Sequence, residues 1–482
     1  MTMKKLLIHG GTVVSDSIVA PYDIVVEGER IVAQGLSGDF DQASFDEVFD
    51  ATGLLVLPGL VDPHVHFDSP FMGSTTVHDF HSGTAAAAYG GITSIISFST
   101  QPKGGSVLRN LEEHEQKANG RAYIDWSIHG ILYDSSEQAL LEIPELVKVG
   151  VPTYKCFTTY RHSNRLMDDD SMLLVLKATA DSGGMLMIHC ENDAILEYRL
   201  KRELAQDTTS TATDSPPIAP GSTSTRITHA RSRPNAAESV AIQRVVDLMK
   251  QERARVYIVH ASTAESVRII QEARSEGAPI HCETCTHYLV LTEELLNTEL
   301  GHLFICSPPL RTQDDIDALW RASRVGPIEV ISSDDAGLPS ADRTRLSEGR
   351  FDKVPNGMPG VEPRLTLLYT EGVRKGRISL PRLVSLTATN PARLFGLAPQ
   401  KGSLTPGSDA DIVLFDPDIK WVMSAETLHM NTDFCPFEGR EVFGKPKTVL
   451  CRGEVVVRDF ELVGSPGHGR RVVRRLESSL ID

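Results

Sequence analysis

The stretch AAESVAIQRVVDLMKQERARVYIVHAS, residues 236–262, joins a helix-length segment to a short apolar run that ends on a histidine. Apolar residues in its first part recur at three- and four-residue spacing, the period of an amphipathic helix. The run RVYIVHAS is apolar on both faces, as in a strand covered from both sides of a parallel sheet. The same unit recurs along the chain. HDFHSGTAAAAYGG precedes ITSIISFST, DSMLLVLKATADSGG precedes MLMIHCEN, and AESVRIIQEARSEG precedes APIHCETC. About eight such units fit between residues 55 and 395, the size of a (β/α)₈ TIM-type barrel in the α/β class.

Either side of this region the pattern changes. KLLIHGGTVV, YDIVVEGERIVAQG and FDEVFDATG read as short strands with turns, as do GSLTPGSDADIVLFDPD and KPKTVLCRGEVVVRD after TATNPARLFGL. The expected organisation is therefore a barrel over 55–395 and a small β-sandwich domain built from both chain ends, 1–54 and 396–460. A tail over 461–482 has a basic stretch that leaves it open to reaching a neighbouring subunit. Residues 205–228, rich in Ser, Thr and Pro, read as an excursion over the barrel mouth.

A net charge of −16 argues against nucleic acid or an anionic membrane surface as partner. The first residues, MTMKKLLIHGG, lack the long apolar core of a signal peptide, and no apolar run reaches membrane-spanning length. Seven cysteines suit a reducing, cytoplasmic compartment better than a disulfide framework. Cys282 and Cys285 stand at C-x-x-C spacing in HCETCTH, but no second ligand pair matches them, so they read as small buried strand residues.

Histidines fall at the ends of the apolar strands. His64 and His66 in LVDPHVHFDSP share one face of an extended strand, a pairing that fits a metal clamp and a polar strand end equally. His189 closes GGMLMIHCEN, His260 closes ARVYIVHAS, and Asp334 follows GPIEVISSDDAG. In a barrel all strand C-termini open on one face, which would gather these five side chains. Lys155 lies inside the apolar strand of GVPTYKCFTTY. A desolvated, neutral lysine can take up carbon dioxide as a carbamate, a carboxylate-like bridge between two metals; a lysine snorkelling to the rim is the alternative.

The ordered set DPHVHF, YKCFTTY, MIHCEN, YIVHAS and SSDDAG resembles the amidohydrolase superfamily, and within it the hydantoinase/dihydropyrimidinase family. ICSPPLR (305–311) and VPNGMPGVEPRL (354–365) extend the resemblance, which covers nearly the whole chain. It implies a binuclear centre with zinc as the expected ion. His64, His66, Lys155 and Asp334 would hold one metal, and carboxylated Lys155 (N6-carboxylysine), His189 and His260 the other. It further implies that Tyr160 contacts the substrate carbonyl, that Ser307 and Asn356 hold the cyclic amide through their backbones, and that the protein is a homotetramer or homodimer.

The expected activity is hydrolysis of a small cyclic amide (a hydantoin, 5-substituted hydantoin or dihydropyrimidine) to an N-carbamoyl amino acid. Asp334 would be the general base turned acid, with Tyr160 assisting at the oxyanion. A dihydroorotase would carry an arginine where this chain has Asp68. An allantoinase or other cyclic imide hydrolase is the weaker enzymatic reading. A non-catalytic scaffold like the collapsin response mediator proteins would lack the ligands that are all present here. Ser97, Thr286-His287 and Asp335 depart from the family pattern; the extra carboxylate of Asp335 would either raise the pKa of Asp334 or face solvent. Phe67, Phe71, Met72, Phe157 and Thr159 are the expected pocket-loop residues that set substrate size.

Overall fold

The structure, a computed structural model, describes residues 3–101, 103–209 and 227–477. Eight parallel strands make one sheet in chain order: β1 (Leu60–Val65), β2 (Ile92–Thr100), β3 (Asp125–Ile131), β4 (Thr153–Phe157), β5 (Met185–His189), β6 (Val256–Ile258), β7 (Ile280–Cys285) and β8 (Ile328–Ser332). The sheet returns on itself where Val65 bridges Asp335 and the His66 N–H donates to Asp335 O at 2.8 Å. Helices cover its outside, among them α1 (Phe80–Tyr89), α2 (Val107–Ala118), α3 (Glu137–Lys148), α4 (Asp169–Ser182), α5 (Asn235–Glu252), α6 (Ala264–Ser275) and α7 (Gln313–Val325).

With both faces covered, the strands are buried along their length, which is why they read as continuous apolar runs. Val61, Ile96, Phe98, Met187, Tyr257 and Val330 pack inside the barrel, and Phe395 closes its lower end. Acceptor side chains start several helices: Asp79 caps α1 with a capping box to Ser82, Thr263 caps α6 and Thr312 caps α7.

The small domain draws on both ends of the chain. Lys5–His9, Tyr22–Glu27, Arg30–Leu36 and Glu47–Asp50 form one sheet. In the second, Thr12–Val14, Val19–Ala20 and Leu55–Pro58 are joined to Ile412–Met423, Arg440–Cys451, Glu454–Arg458 and Glu461–Leu462. Leu55–Pro58, expected in the barrel, pairs antiparallel with Ile412–Phe415; the chain passes through Pro58-Gly59 before β1 begins. An ionic cluster ties this domain to the barrel floor: Lys401 Nζ lies 2.6 Å from Asp125 and 2.9 Å from both Asp409 and Asp411, with Arg452 also on Asp125. Burial opposes the lysine's charge, but the carboxylates outweigh it and hold the amine well above its ordinary value.

The described part of the tail packs under its own barrel. The Trp126 N–H donates to Arg470 O, the Val472 N–H to Trp126 O, and the buried Arg474 guanidinium to Ser127 Oγ and Ile128 O at 2.9 and 2.6 Å. Of the expected excursion, residues 210–226 lie outside the described residues; Asp193–Thr209 and Ile227–Ser232 on its flanks are helical.

Candidate metal centre

The C-terminal ends of the strands bring the six expected ligands together. His64 is on β1 and His66 just beyond it, Lys155 is on β4, and His189 ends β5. His260 and Asp334 each follow their strand by two residues. Asp334 Oδ1 lies 3.0 Å from His64 Nε2 and 3.4 Å from His66 Nε2. Lys155 Nζ is 3.0 Å from His64 Nε2, and His189 Nδ1 is 3.0 Å from His260 Nε2. His260 (φ 41°), Asp334 (φ 48°) and Tyr160 (φ 71°) all adopt left-handed backbone, a strain of about 1–3 kcal/mol each that is held where side chains must be aimed.

Outside His64, the protonation pattern is that of a lone-pair donor set. Burial pulls His66 down to about 4, lowers His189, and lowers His260 well below its ordinary value. Burial also lowers the amine of Lys155. His64 is desolvated too, yet the Asp334 and Glu283 carboxylates keep it above the usual range. Burial would raise Asp334, but the facing imidazoles, His64 first, hold it well below the ordinary carboxylate value. Neutral imidazole nitrogens facing each other at 3.0 Å, a buried His260 Nδ1 with no hydrogen-bond partner among the described residues and an ionised carboxylate between two histidines fit divalent metal ions.

Other carboxylates orient the ligands, and sequence reasoning missed them. Glu283 on β7 accepts from His64 Nδ1, and its second oxygen takes the Tyr257 hydroxyl at 3.0 Å. Glu191 accepts from His189 Nε2 at 2.8 Å and from Arg233 at 2.5 Å; against burial, Arg233 first and then His189 bring it to about 2. Carboxylates of this kind fix the tautomer and aim of a ligating imidazole. A glutamate inside an apolar strand, as in HCETC, was the signal available for Glu283.

Tyr160, Ser307 and Asn356 line one pocket with His66, Lys155, His189, His260 and Asp334. Asn356 Nδ2 donates to Ser307 Oγ at 2.8 Å. Burial raises the Tyr160 hydroxyl to about 12, so it remains a donor at neutral pH. Gly357 beside Asn356 has φ 137°, and a Cβ there would lie 2.4 Å from Ala336 O. Of the expected pocket-loop residues, Phe71 and Phe157 line this pocket, while Met72 and Thr159 line an outer annex. Phe67, expected at the mouth, is instead fully buried, edge-on to His78 and Phe80, because Gly83 on α1 leaves room for its ring.

The departures from the family pattern also have places. Asp335 does not face solvent, and the net direction of the Asp334 pKa is downward. Asp335 is buried, accepts from His78 at 2.8 Å and from the N–H groups of Gly360 and Val361, and His78 leads the interactions that lower it. Ser97 Oγ contacts His114 Nε2 at 3.2 Å. Ligand atoms of Cys285, His287 and Asp334 lie within 4.8 Å of one another, but burial raises the Cys285 thiol well above its ordinary value. Cys282 and Cys285 are both buried in β7.

The sequence profile of the Amidohydrolase family matches residues 55–456. The chain is 38% identical over 479 residues to a D-hydantoinase of Geobacillus stearothermophilus, covering 98% of each. It is 38% identical over 473 residues to a D-phenylhydantoinase of Escherichia coli, again covering 98% of each. The crystal structure of dihydropyrimidinase from Brevibacillus agri superposes with a TM-score of 0.92 at 39% identity, covering 98% of this chain and 99% of that one.

Proposed function

The chain belongs to the amidohydrolase family, with hydantoinases and dihydropyrimidinases as its relatives, and from that premise we propose that it opens the ring of a 5-substituted hydantoin or dihydropyrimidine by metal-assisted hydrolysis. The observation that carries the reading is the convergence of His66, Lys155, His189, His260 and Asp334 on one pocket walled by Tyr160, Ser307 and Asn356, with buried His64 against Lys155 and Asp334. The residues fit two divalent ions, zinc by preference for an imidazole and carboxylate set. His64, His66 and Asp334 would hold one, His189 and His260 the other, and Lys155 would bridge them as its carbamate. Burial supports that modification, because it favours the neutral amine, whose nitrogen adds to carbon dioxide with loss of a proton. When bound, the ions supply Lewis acidity and lower the pKa of a water in the site.

The chain's own residues do the remaining work. Asp334, ionised and aimed by His64 and His66, accepts the proton of the attacking water and returns it to the departing ring nitrogen. The Tyr160 hydroxyl, protonated at neutral pH, donates to the carbonyl oxygen as charge develops there. Ser307 and Asn356 hold the flat ring against the pocket wall. Phe71 and Phe157 line the space left for a ring substituent. Among the described residues no helix is long and apolar enough to cross a membrane; a cytoplasmic homotetramer is the assembly consistent with the family resemblance.

The test is ring opening by zinc-loaded, bicarbonate-treated protein on hydantoin, 5-phenylhydantoin, dihydrouracil, allantoin and dihydroorotate. Turnover confined to the first three supports the proposal. Turnover of allantoin or dihydroorotate alone overturns it.

A further inference from the structure

Arg165 and Arg233 line the pocket or its annex, Arg161 stands beside them in the chain, and two of the three are already committed. Arg161 is tied to Asp193, and Arg233 to Glu191. The Arg165 backbone N–H donates to Tyr160 O at 3.2 Å, but its guanidinium has neither an ion pair nor a hydrogen bond among the described residues. Its guanidinium lies instead among aromatic rings, 5.1 Å from the centroid of Phe71, 5.3 Å from Tyr133 and 5.9 Å from Phe157. It is half-buried and lines the same pocket as Lys155, Tyr160 and Asp334. The Phe157 ring is shared: Lys155 Nζ sits 5.7 Å from its centroid. One aromatic side chain thus separates the proposed metal bridge from a cation with open donors.

Such a cradle holds the guanidinium plane in place and leaves its edge free. A weakly hydrated, planar fork of N–H donors pairs best with a carboxylate, in two parallel hydrogen bonds. The carboxylate released by ring opening would form at the metal ligands, on the Lys155 side of Phe157. An anion at Arg165 must therefore belong to the ring substituent.

We propose that Arg165 is a specificity-determining residue that receives a carboxylate carried on the substrate's exocyclic arm, so that the preferred substrates are cyclic ureides with an acidic side chain. This rests on the function proposed above and narrows its substrate class. Arg165 is a binding group for the arm and takes no part in bond breaking.

The experiment compares kcat/KM for 5-(2-carboxyethyl)hydantoin with its neutral near-isostere 5-(2-carbamoylethyl)hydantoin, in the metal-loaded wild type and in Arg165→Gln and Arg165→Lys. The wild type should favour the acid by about ten- to a hundredfold, chiefly through KM, as expected for one charge-assisted pairing. R165Q should bring the ratio to one or below. R165K, a point charge without the fork, should retain part of the preference. Because the ratio is taken within each protein, a general loss of folding or metal does not move it. A wild-type ratio at or below one, or a ratio unchanged in R165Q, overturns the inference while hydantoin turnover leaves the proposed function standing. Silence on hydantoin as well removes both.

Discussion

Glu283, on β7, accepts the Nδ1–H of His64, on β1, from the opposite side of that ring to the Nε2 that meets Asp334 at 3.0 Å. Both side chains are fully buried. The contact fixes which His64 nitrogen carries the proton and therefore which one offers a lone pair to the centre. Glu283→Gln keeps the shape but can present an N–H to the imidazole. Metal affinity or turnover should fall about 10–100-fold, measured by competition with a chelator and by hydantoin hydrolysis. Unchanged affinity and turnover would mean the pair only fills the barrel.

In the proposed mechanism, Asp334→Asn removes both a ligand oxygen and the group that moves the proton. With metal restored in excess, kcat should fall by about 10²–10⁴-fold, and metal content measured on the same sample separates the two losses. A fully loaded variant with wild-type kcat would take the proton transfer away from Asp334.

Two buried histidines outside the ligand set make stability pH-dependent. Burial brings both His114 and His229 to about 3, against an ordinary value of 6.5. The unfolded chain thus binds protons that the folded chain refuses. Stability is full above about pH 6.5 and is lost as pH falls toward 3, by about 2 kcal/mol per histidine at pH 5. His114→Phe should shrink the difference between denaturant curves at pH 7 and pH 5 by about that amount, whatever it does to stability at pH 7. An identical pH 7-to-5 difference in variant and wild type would remove His114 from the account.

Lys401→Met should be strongly destabilising. It leaves Asp411 without a paired cation and takes one from Asp125 and Asp409, which keep Arg452 and Arg30; breaking a buried pair costs about 3–5 kcal/mol. The thermal midpoint should drop by several degrees. A midpoint equal to wild type would show that the floor of the barrel and the small domain are held together without this cluster.

The barrel was legible because a covered parallel sheet demands unbroken apolar strands, and RVYIVHAS and MLMIHCEN have them. The convergence of the histidines was legible for a related reason: a histidine ending such a strand has a predictable destination. Lys155 stood out as a cation in a strand with no room for one. What stayed hidden depended on partners distant in the chain. Asp335 is held by a hydrogen bond from His78, 257 residues earlier, so its surroundings were unreadable from the pair Asp334-Asp335. Glu191 acquires Arg233 across 42 residues. Phe67 turns inward only because Gly83, on the next helix, has no side chain to oppose it. The start of the barrel was set too early because Leu55–Pro58 is as apolar as β1, and only its pairing with Ile412–Phe415 distinguishes it.

Metal dependence is the centre of the account, and it is tested by one titration. Protein stripped with a chelator is reloaded with zinc in the presence of bicarbonate, and ring opening of 5-phenylhydantoin is followed against metal bound per chain. Activity should be absent from the stripped protein and reach its plateau at two ions per chain. Full turnover by protein holding no metal would contradict it.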